Sequence, residues 1–149
     1  MSEHSEIEFR DSERVEYQEY RSFLTRTDLG SQYPKKDFEN RIRKLLANVD
    51  ICITARDGGG VLVGVCLGLT DFAYFLFLTD LGVDRKCCGR GIGRQLVKLA
   101  HRTAGGEADI TIATISNKNA IGFYERCGIR PAAELVVRYC TDGEGFVVS

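Results

Sequence analysis

The sequence predicts an α/β protein built on a mixed β-sheet with helices on both faces. Three strand-like segments rich in β-branched and aromatic residues follow one another at 50–55, 61–69 and 73–83. Helical patterns precede these segments and alternate with further strands after them, which is typical of a sheet that is partly antiparallel and partly parallel. The 149 residues, 44% of them hydrophobic and 28% charged, suit one globular domain over 1–149.

The first part of the chain indicates a short strand followed by two helices. Residues 7–9 alternate in hydrophobicity, and Asp11 or Ser12 can cap a helix whose end we expect at Gly30. A second helix follows, with apolar residues at every third or fourth position. The glycine-rich run at 57–60 then predicts the tight turn between the first two of the three meandering strands.

The later part of the chain alternates helices and strands. One helix follows a glycine-rich segment and ends near Gly105, and another opens at Asn117 and stops at Gly128, which can adopt the left-handed conformation. Strands are predicted, in order, at 109–115, 135–140 and 146–148.

Composition excludes several classes of protein. A net charge of -1 gives no bulk attraction to nucleic acid or to an anionic membrane. No apolar run approaches the ~18 residues of a membrane span, and the polar start of the chain has no signal-peptide core. Six cysteines and two histidines show no zinc-ligand spacing. We therefore expect a cytoplasmic protein with reduced thiols, no metal, and no nucleic-acid or membrane partner.

A basic, glycine-rich loop carries the main chemical signal. The last of the three meandering strands runs into Cys88-Gly89-Arg90-Gly91-Ile92-Gly93-Arg94 and then into a helix. Glycines let the backbone approach a phosphate and aim successive N–H groups at it. The N-terminus of the following helix adds a partial positive charge, and Arg90 and Arg94 can supplement it. The loop therefore indicates a diphosphate site, with a plain tight turn before a helix as the alternative.

Two familiar phosphate-binding motifs do not match this loop. The Walker A motif needs a lysine followed by serine or threonine, and no such pair occurs in the chain. The dinucleotide fingerprint GxGxxG is also missing, because the glycines fall at Gly89, Gly91 and Gly93. A nucleotide-hydrolysing or NAD-binding protein is therefore not indicated.

Three blocks in order resemble the GNAT superfamily of acyl-CoA N-acyltransferases. The run 88–93 resembles the family's Q/R-x-x-G-x-G/A signature, and 80–84, Asp-Leu-Gly-Val-Asp, resembles its splayed central strand. The run 117–129, from Asn117 through Tyr124 to Ile129, resembles the N-x-x-A-x-x-x-Y-E-x-x-G-F block. The resemblance implies a GNAT-like fold, in which a twisted mixed sheet has a splayed central strand.

The resemblance also implies roles for individual residues. Backbone groups of the Leu81-Gly82-Val83 stretch would bind the pantetheine arm of acetyl-CoA and polarise its thioester. The pyrophosphate would be held by the amides of Cys88, Gly89, Arg90, Gly91, Ile92 and Gly93. Asn117 and Ala120 would line the other side of the cofactor, and Tyr124 would be the general acid for the leaving thiolate. Outside this context, the position of Tyr124 at helical spacing would favour an amphipathic core residue over a catalytic one.

The sequence departs from the family pattern at two functional positions. Cys88 stands where Gln or Arg is usual, so its backbone amide must make the phosphate contact. The strand before Asn117 lacks the glutamate that often serves as base. Asp80 is the candidate that remains, with Asp71 and Asp84 as competitors, and a chain of waters could also take the proton. Cysteine catalysis at Cys88 has no nearby histidine in the sequence to support it.

The function predicted from these features is transfer of an acetyl group from acetyl-CoA to a primary amine of a small molecule, by direct attack in a ternary complex. Acetylation of protein or peptide N-termini is the first alternative. A non-catalytic acyl-CoA-binding regulator is the second, and the presence of Tyr124 argues against it. The resemblance further implies that two chains pair as a homodimer through their C-terminal strands.

Overall fold

A computed structural model describes residues 6–149 of the chain. Within them, a five-stranded sheet has the order β1-β2-β3-β4-β5. The strands are β1 (Glu8–Arg10), β2 (Ile51–Arg56), β3 (Leu62–Thr70), β4 (Phe75–Val83) and β5 (Thr111–Thr114). Neighbouring strands are antiparallel from β1 to β4, whereas β4 and β5 are parallel. The predicted mixed sheet is confirmed.

Helices and 3₁₀ turns connect these strands. The helices are α1 (Tyr17–Leu24), α2 (Phe38–Asn48), α3 (Ile92–Ala104) and α4 (Ile121–Arg126). The 3₁₀ turns are Asp28–Ser31, Arg85–Cys87 and Lys118–Ala120. Among residues 6–149, no helix is long and apolar enough to cross a membrane.

The core has two parts because helices cover both faces of the sheet. On one face, α1 and α2 bury Tyr20, Phe23 and Leu46 against the strands. On the other face, α3 packs through Leu96 and Ala100, and α4 adds partly buried side chains. All six residues of β2 are buried, as expected for a strand that is covered on both faces.

The predicted limits of the first helix are wrong. Helix α1 begins after Glu16, not after Asp11 or Ser12, because the preceding segment is held extended against the sheet. Arg14 in that segment donates to the Val49 carbonyl at 2.6 Å. The helix ends at Leu24, well before Gly30, and the chain then turns back on itself in the 3₁₀ turn Asp28–Ser31.

The strands predicted at 135–140 and 146–148 are also wrong. Residues 130–145 are exposed, and no strand is present there or at 146–148. The end of the chain instead packs on the α1–α2 face, where the Val148 N–H donates to the Gly30 carbonyl at 2.9 Å. A run of β-branched and aromatic residues favours extended chain, but a strand also needs an edge within reach. In this fold the chain leaves the edge of β5 after α4.

Candidate active site

An extra residue in β4 reverses the direction of the side chains that follow it. Leu67 lies opposite Asp80 and Gly68 lies opposite Leu78, so Thr79 has no partner in β3. Such a bulge moves every later side chain to the other face of the sheet. Leu78 accordingly packs on the α3 side, whereas Asp80 reaches the tyrosines on the α1 side.

The sheet opens between β4 and β5 at the same level. The two strands pair only from Phe75↔Thr111 to Leu78↔Thr114, and β4 continues to Val83 without this partner. The Thr114 hydroxyl donates to the Leu78 carbonyl at 2.9 Å, directly below the opening. This gap gives a ligand access to the backbone of Leu81-Gly82-Val83, and it matches the splayed central strand that the sequence predicts.

The glycine-rich loop places open backbone before α3. Gly89 and Gly91 are left-handed, with φ of 82° and 78°, and a Cβ on either would meet nothing within 4 Å. No side chain caps α3, and the N–H of Gln95 makes the first helical bond, to the Gly91 carbonyl. The amides before Gln95 have no such helical partner. Together with the exposed side chains of Arg90 and Arg94, this geometry fits a diphosphate group.

Gly93 serves the packing of α3 against α4 as well. A Cβ at Gly93 would lie 3.2 Å from the ring of Phe123, which is tighter than ordinary contact. Asn117 likewise has a structural task, since its Oδ1 accepts the Ala120 N–H at 3.0 Å and so opens the turn that leads into α4. Both residues therefore bring α4 to the loop.

Tyr124 lies on the inner side of α4, half-buried, with its ring edge-on to Phe123 at a centroid distance of 5.2 Å. Burial raises the pKa of its hydroxyl to about 12, in spite of a hydrogen bond with the Thr114 side chain, which lowers it. At neutral pH the phenol is therefore protonated and can donate. Its partner Thr114 is the residue at which β5 parts from β4.

A cleft of about 520 Å³ joins these features. Most of the predicted site residues line it: Leu81, Gly82, Val83, Cys88, Gly93, Asn117, Ala120 and Tyr124. Gly91 and Arg94 line a second groove of about 920 Å³ on the other side of α3. Ile92 is buried in the core, and Asp80, Gly89 and Arg90 line neither cavity.

One wall of the cleft consists of Thr25 and residues 27–32, after α1, together with Val147 and Val148. The family resemblance implies that the connection between the first two helices walls the acceptor site. Sequence reasoning missed Val147 and Val148, which no local motif distinguishes, because they reach this wall only through the fold. The antiparallel bridge between Pro34 and Gly145 brings the end of the chain to this wall.

Asp80 lies in a buried hydrogen-bond network. Its Oδ1 accepts from the Tyr33 hydroxyl, its Oδ2 accepts from Thr79 at 2.8 Å, and the hydroxyls of Tyr33 and Tyr20 are 2.7 Å apart. Burial raises the pKa of Asp80, partly offset by these two hydrogen bonds. The carboxyl is thus a stronger base than an exposed aspartate. Neither Asp80 nor its partners line the cleft, although Gln32, next to Tyr33 in the sequence, does.

The remaining candidates have other partners. Asp71 lies in the β3–β4 turn and accepts the N–H groups of Ala73, Tyr74 and Phe75 at 2.9, 2.7 and 3.0 Å. Asp84 pairs with Arg26 at 2.8 Å, at the start of the glycine-rich loop. Within 6–149, no three His, Cys, Asp or Glu side chains are grouped as a metal site requires.

The family model described as "Acetyltransferase (GNAT) family" matches residues 9–129. The chain belongs to the acetyltransferase (GNAT) family. This membership identifies it as an acyl-CoA-dependent N-acetyltransferase and confirms the resemblance seen in the sequence. The match extends over the β4 gap, the glycine-rich loop and Tyr124. No curated protein sequence matches the chain significantly.

Solved structures of GNAT acetyltransferases share the fold. A GNAT-family acetyltransferase from Streptococcus pneumoniae is 20% identical, with a TM-score of 0.67 over 89% of this chain and 98% of that one. Glucosamine-6-phosphate N-acetyltransferase from Arabidopsis thaliana is 14% identical, with a TM-score of 0.62 over 90% and 98%. An aminoglycoside N-acetyltransferase in complex with CoA is 15% identical, with a TM-score of 0.67 over 95% and 99%. At these identities the likeness concerns the fold.

Proposed function

We propose that this GNAT acetyltransferase transfers an acetyl group from acetyl-CoA to a primary amine of a small molecule, by direct attack in a ternary complex. The observation that carries the proposal is the lining of the cleft. It includes Cys88 and Gly93 of the glycine-rich loop, the stretch Leu81-Gly82-Val83 beside the β4–β5 gap, the wall at Thr25 and residues 27–32, and Tyr124. A cofactor arm and an amine can therefore approach one another from its two ends.

In this proposal the cofactor is held mainly by backbone. The backbone amides of 88–93 receive the pyrophosphate, with Arg90 and Arg94 adding positive charge. Of these amides, the Cys88 N–H also donates to the Arg85 carbonyl at 3.5 Å. The unpaired stretch Leu81-Gly82-Val83 offers peptide groups to the pantetheine arm, and Asn117 and Ala120 close the opposite side. The cosubstrate supplies an activated acyl group as a thioester.

Tyr124 is proposed to give a proton to the departing thiolate. A free thiol has a pKa of about 8.5, so the thiolate takes a proton less readily than a phenolate would. Burial raises the pKa of Tyr124 to about 12, which keeps the phenol protonated but makes it a weaker acid. The hydroxyl can still stabilise the thiolate as it forms, by donating a hydrogen bond to it, because a neighbouring negative charge and a proton donor stabilise one another.

Asp80 is proposed as the final acceptor of the proton that the amine releases. The proposed relay is Tyr33, which donates to Asp80 and follows the cleft-lining Gln32 in the sequence. Since the Tyr33 hydroxyl donates to Asp80, a proton can move along this bond when another enters from the side of Tyr33. Both Asp80→Asn and Tyr33→Phe would then lower kcat and shift the lower limb of the pH–rate profile. A purely structural network would change stability and leave that limb in place.

The position of the last residues of this protein in the cleft favours a small acceptor over a peptide. Val147 and Val148 line the cleft opposite the glycine-rich loop, and the Val148 N–H is bonded to Gly30. This contact narrows the space beside the acceptor wall, and a volume of about 520 Å³ must hold both an acyl arm and an amine. N-terminal acetylation of a protein would require a groove that is open at this end.

Calorimetry with acetyl-CoA, CoA and NAD tests the cofactor, and a thiol-release assay over a panel of small amines and N-terminal peptides tests the acceptor. We expect both CoA forms to bind, NAD not to bind, and small amines to be turned over faster than peptides. Tyr124→Phe should keep the Kd for CoA and lower kcat by about a hundredfold or more. The matched control is Tyr74→Phe, which removes the same hydroxyl from a side chain that is 69% exposed.

Four results would contradict the proposal at different points. No CoA binding would remove the cofactor assignment. Wild-type kcat in Tyr124→Phe would remove the general acid, and faster turnover of peptides would favour the N-terminal acetyltransferase. Binding of acetyl-CoA without turnover of any amine would favour the non-catalytic regulator.

Pairing of two chains is proposed through residues 135–140. This segment is rich in the β-branched and aromatic residues that strands favour, yet it forms no strand within the chain, and Val136 and Tyr139 are 88% and 68% exposed. Light scattering should show a dimer that Val136→Asp disrupts, and a monomer at all concentrations would contradict it.

A cytoplasmic location is proposed because the six cysteines are all free thiols. Fractionation of cells would test this location.

A further inference from the structure

Two ion pairs cross between the wall and the loop of the cleft. We call residues 25–32 the acceptor wall and residues 84–91 the pyrophosphate loop. Arg26 of the wall pairs with Asp84 of the loop at 2.8 Å, and Arg85 of the loop pairs with Asp28 of the wall at 3.2 Å. Each segment therefore contributes one arginine and one aspartate to these two pairs. A backbone bond joins them too, since the Arg85 N–H donates to the Arg26 carbonyl at 2.9 Å.

Asp84 shapes the first turn of the pyrophosphate loop while it holds the wall. Its Oδ1 accepts the Lys86 N–H at 3.0 Å, and its carbonyl accepts the Cys87 N–H at 2.8 Å. Its Oδ2 accepts Nε of Arg26. Since the carboxyl is buried, the loss of its cation would leave a charge without compensation. Asp84 therefore fixes the position of this turn relative to the acceptor wall.

Arg85 fastens the acceptor wall from the other direction. Besides Asp28, its guanidinium donates to the carbonyls of Thr25 and Thr27 at 3.3 and 2.8 Å. Arg26 is anchored behind the wall as well, because it also donates to the Leu62 carbonyl of β3 at 2.7 Å. Donation from one planar group to several acceptors fixes orientation as well as distance.

We propose that Arg26, Asp84 and Arg85 are positioning residues that couple occupancy of the pyrophosphate loop to the order of the acceptor wall. A diphosphate that fixes the loop also fixes the carbonyls of Thr25 and Thr27 through these pairs. The acceptor then meets a wall that the cofactor has already ordered, and reciprocally an acceptor tightens cofactor binding. This inference rests on the proposed function, in which the loop binds CoA.

Hydrogen exchange of the intact protein, with and without saturating CoA, tests the coupling. In the wild type, CoA should slow amide exchange in residues 25–32 by about threefold or more, although these residues lie outside the glycine-rich loop. Arg26→Gln should bind CoA and lose most of this slowing. The readout is the ratio of rates with and without CoA, which a merely structural role of Arg26 would not change.

Three further variants complete the experiment. Arg43→Gln breaks an exposed pair with Glu39 on α2 and should leave the ratio unchanged. Asp28→Asn breaks the exposed pair without leaving a buried charge, so it supplies a folded variant even if Arg26→Gln does not fold. It should reduce the slowing by a smaller factor, and the conservative Asp28→Glu should restore it.

The outcomes separate the coupling from the proposed function. If the wild type binds CoA without slower exchange at 25–32, or if Arg26→Gln and Asp28→Asn both keep the full slowing, the coupling is refuted and the cofactor site stands. If the wild type does not bind CoA at all, the proposed function fails and the coupling fails with it.

Discussion

Replacement of Gly91 by alanine should weaken CoA binding by the pyrophosphate loop, while the protein keeps its fold. Gly91 has φ of 78°, and a Cβ there would meet nothing within 4 Å, so the substitution introduces backbone strain without a clash. The left-handed conformation costs an ordinary residue about 1–2 kcal/mol. We therefore expect the free energy of unfolding to fall by about that amount, with the fold retained.

CoA affinity should fall by more than this strain explains. If the open side of Gly91 faces a bound diphosphate, the added methyl group displaces it from the nearby amides. The loss of one hydrogen bond to a charged group, worth about 1.5–3 kcal/mol, weakens binding by about tenfold to a hundredfold. Calorimetry at a fixed salt concentration, beside urea unfolding of the same samples, measures both quantities.

Gly106 provides the matched control at the other end of the same helix. It is also left-handed, with φ of 97° and open space at the position of a Cβ. It lies beyond the 13 residues of α3, and so about 20 Å from the loop. Gly106→Ala should lose similar stability and keep the Kd of the wild type. Equal CoA affinity in the Gly91 and Gly106 variants would refute the assignment of the loop.

Three other substitutions test the burial of Asp80, the role of Asp71 in the β3–β4 turn, and the close packing of Gly30 in the acceptor wall. Asp80 has a raised pKa in the folded state, so its ionisation destabilises the fold. The wild type should therefore lose stability relative to Asp80→Asn as pH rises from about 4 through that pKa. A constant difference in the free energy of unfolding between pH 4 and 8, measured by urea unfolding, would contradict this. Three backbone N–H groups lower the pKa of Asp71 to about 2. The stability advantage of the wild type over Asp71→Asn should therefore hold above pH ~4 and disappear as pH falls towards 2. An advantage that persists at pH 2 would contradict the role of the Asp71 carboxylate in the β3–β4 turn. Gly30→Ala places a Cβ 2.6 Å from the Leu24 carbonyl oxygen and should cost about 1–3 kcal/mol, whereas Gly59→Ala, with ordinary contact at 3.5 Å, should cost less than 1 kcal/mol by thermal unfolding.

The sequence by itself determined the order of the strands and helices as far as α4 and the location of the glycine-rich loop. Local patterns were sufficient for this, because the period of hydrophobic residues and the spacing of glycines act within one element. Gly91 and Gly105 illustrate the point, since each lies next to α3 in the left-handed conformation that favours glycine. Tyr124 was found in the same way, from a short block that spans one helix.

Only the tertiary structure decided which side chains meet across the cleft. The bulge at Thr79 depends on how β3 and β4 pair, and it turns Asp80 away from the side that simple alternation along the strand would give. The pairing of Arg26 with Asp84 joins residues 58 positions apart. The chain after α4 has the residue types of a strand, but its end packs on the acceptor wall, where the Val148 N–H donates to the Gly30 carbonyl. In each case the outcome depends on which distant surface is within reach, and a local pattern does not contain that information.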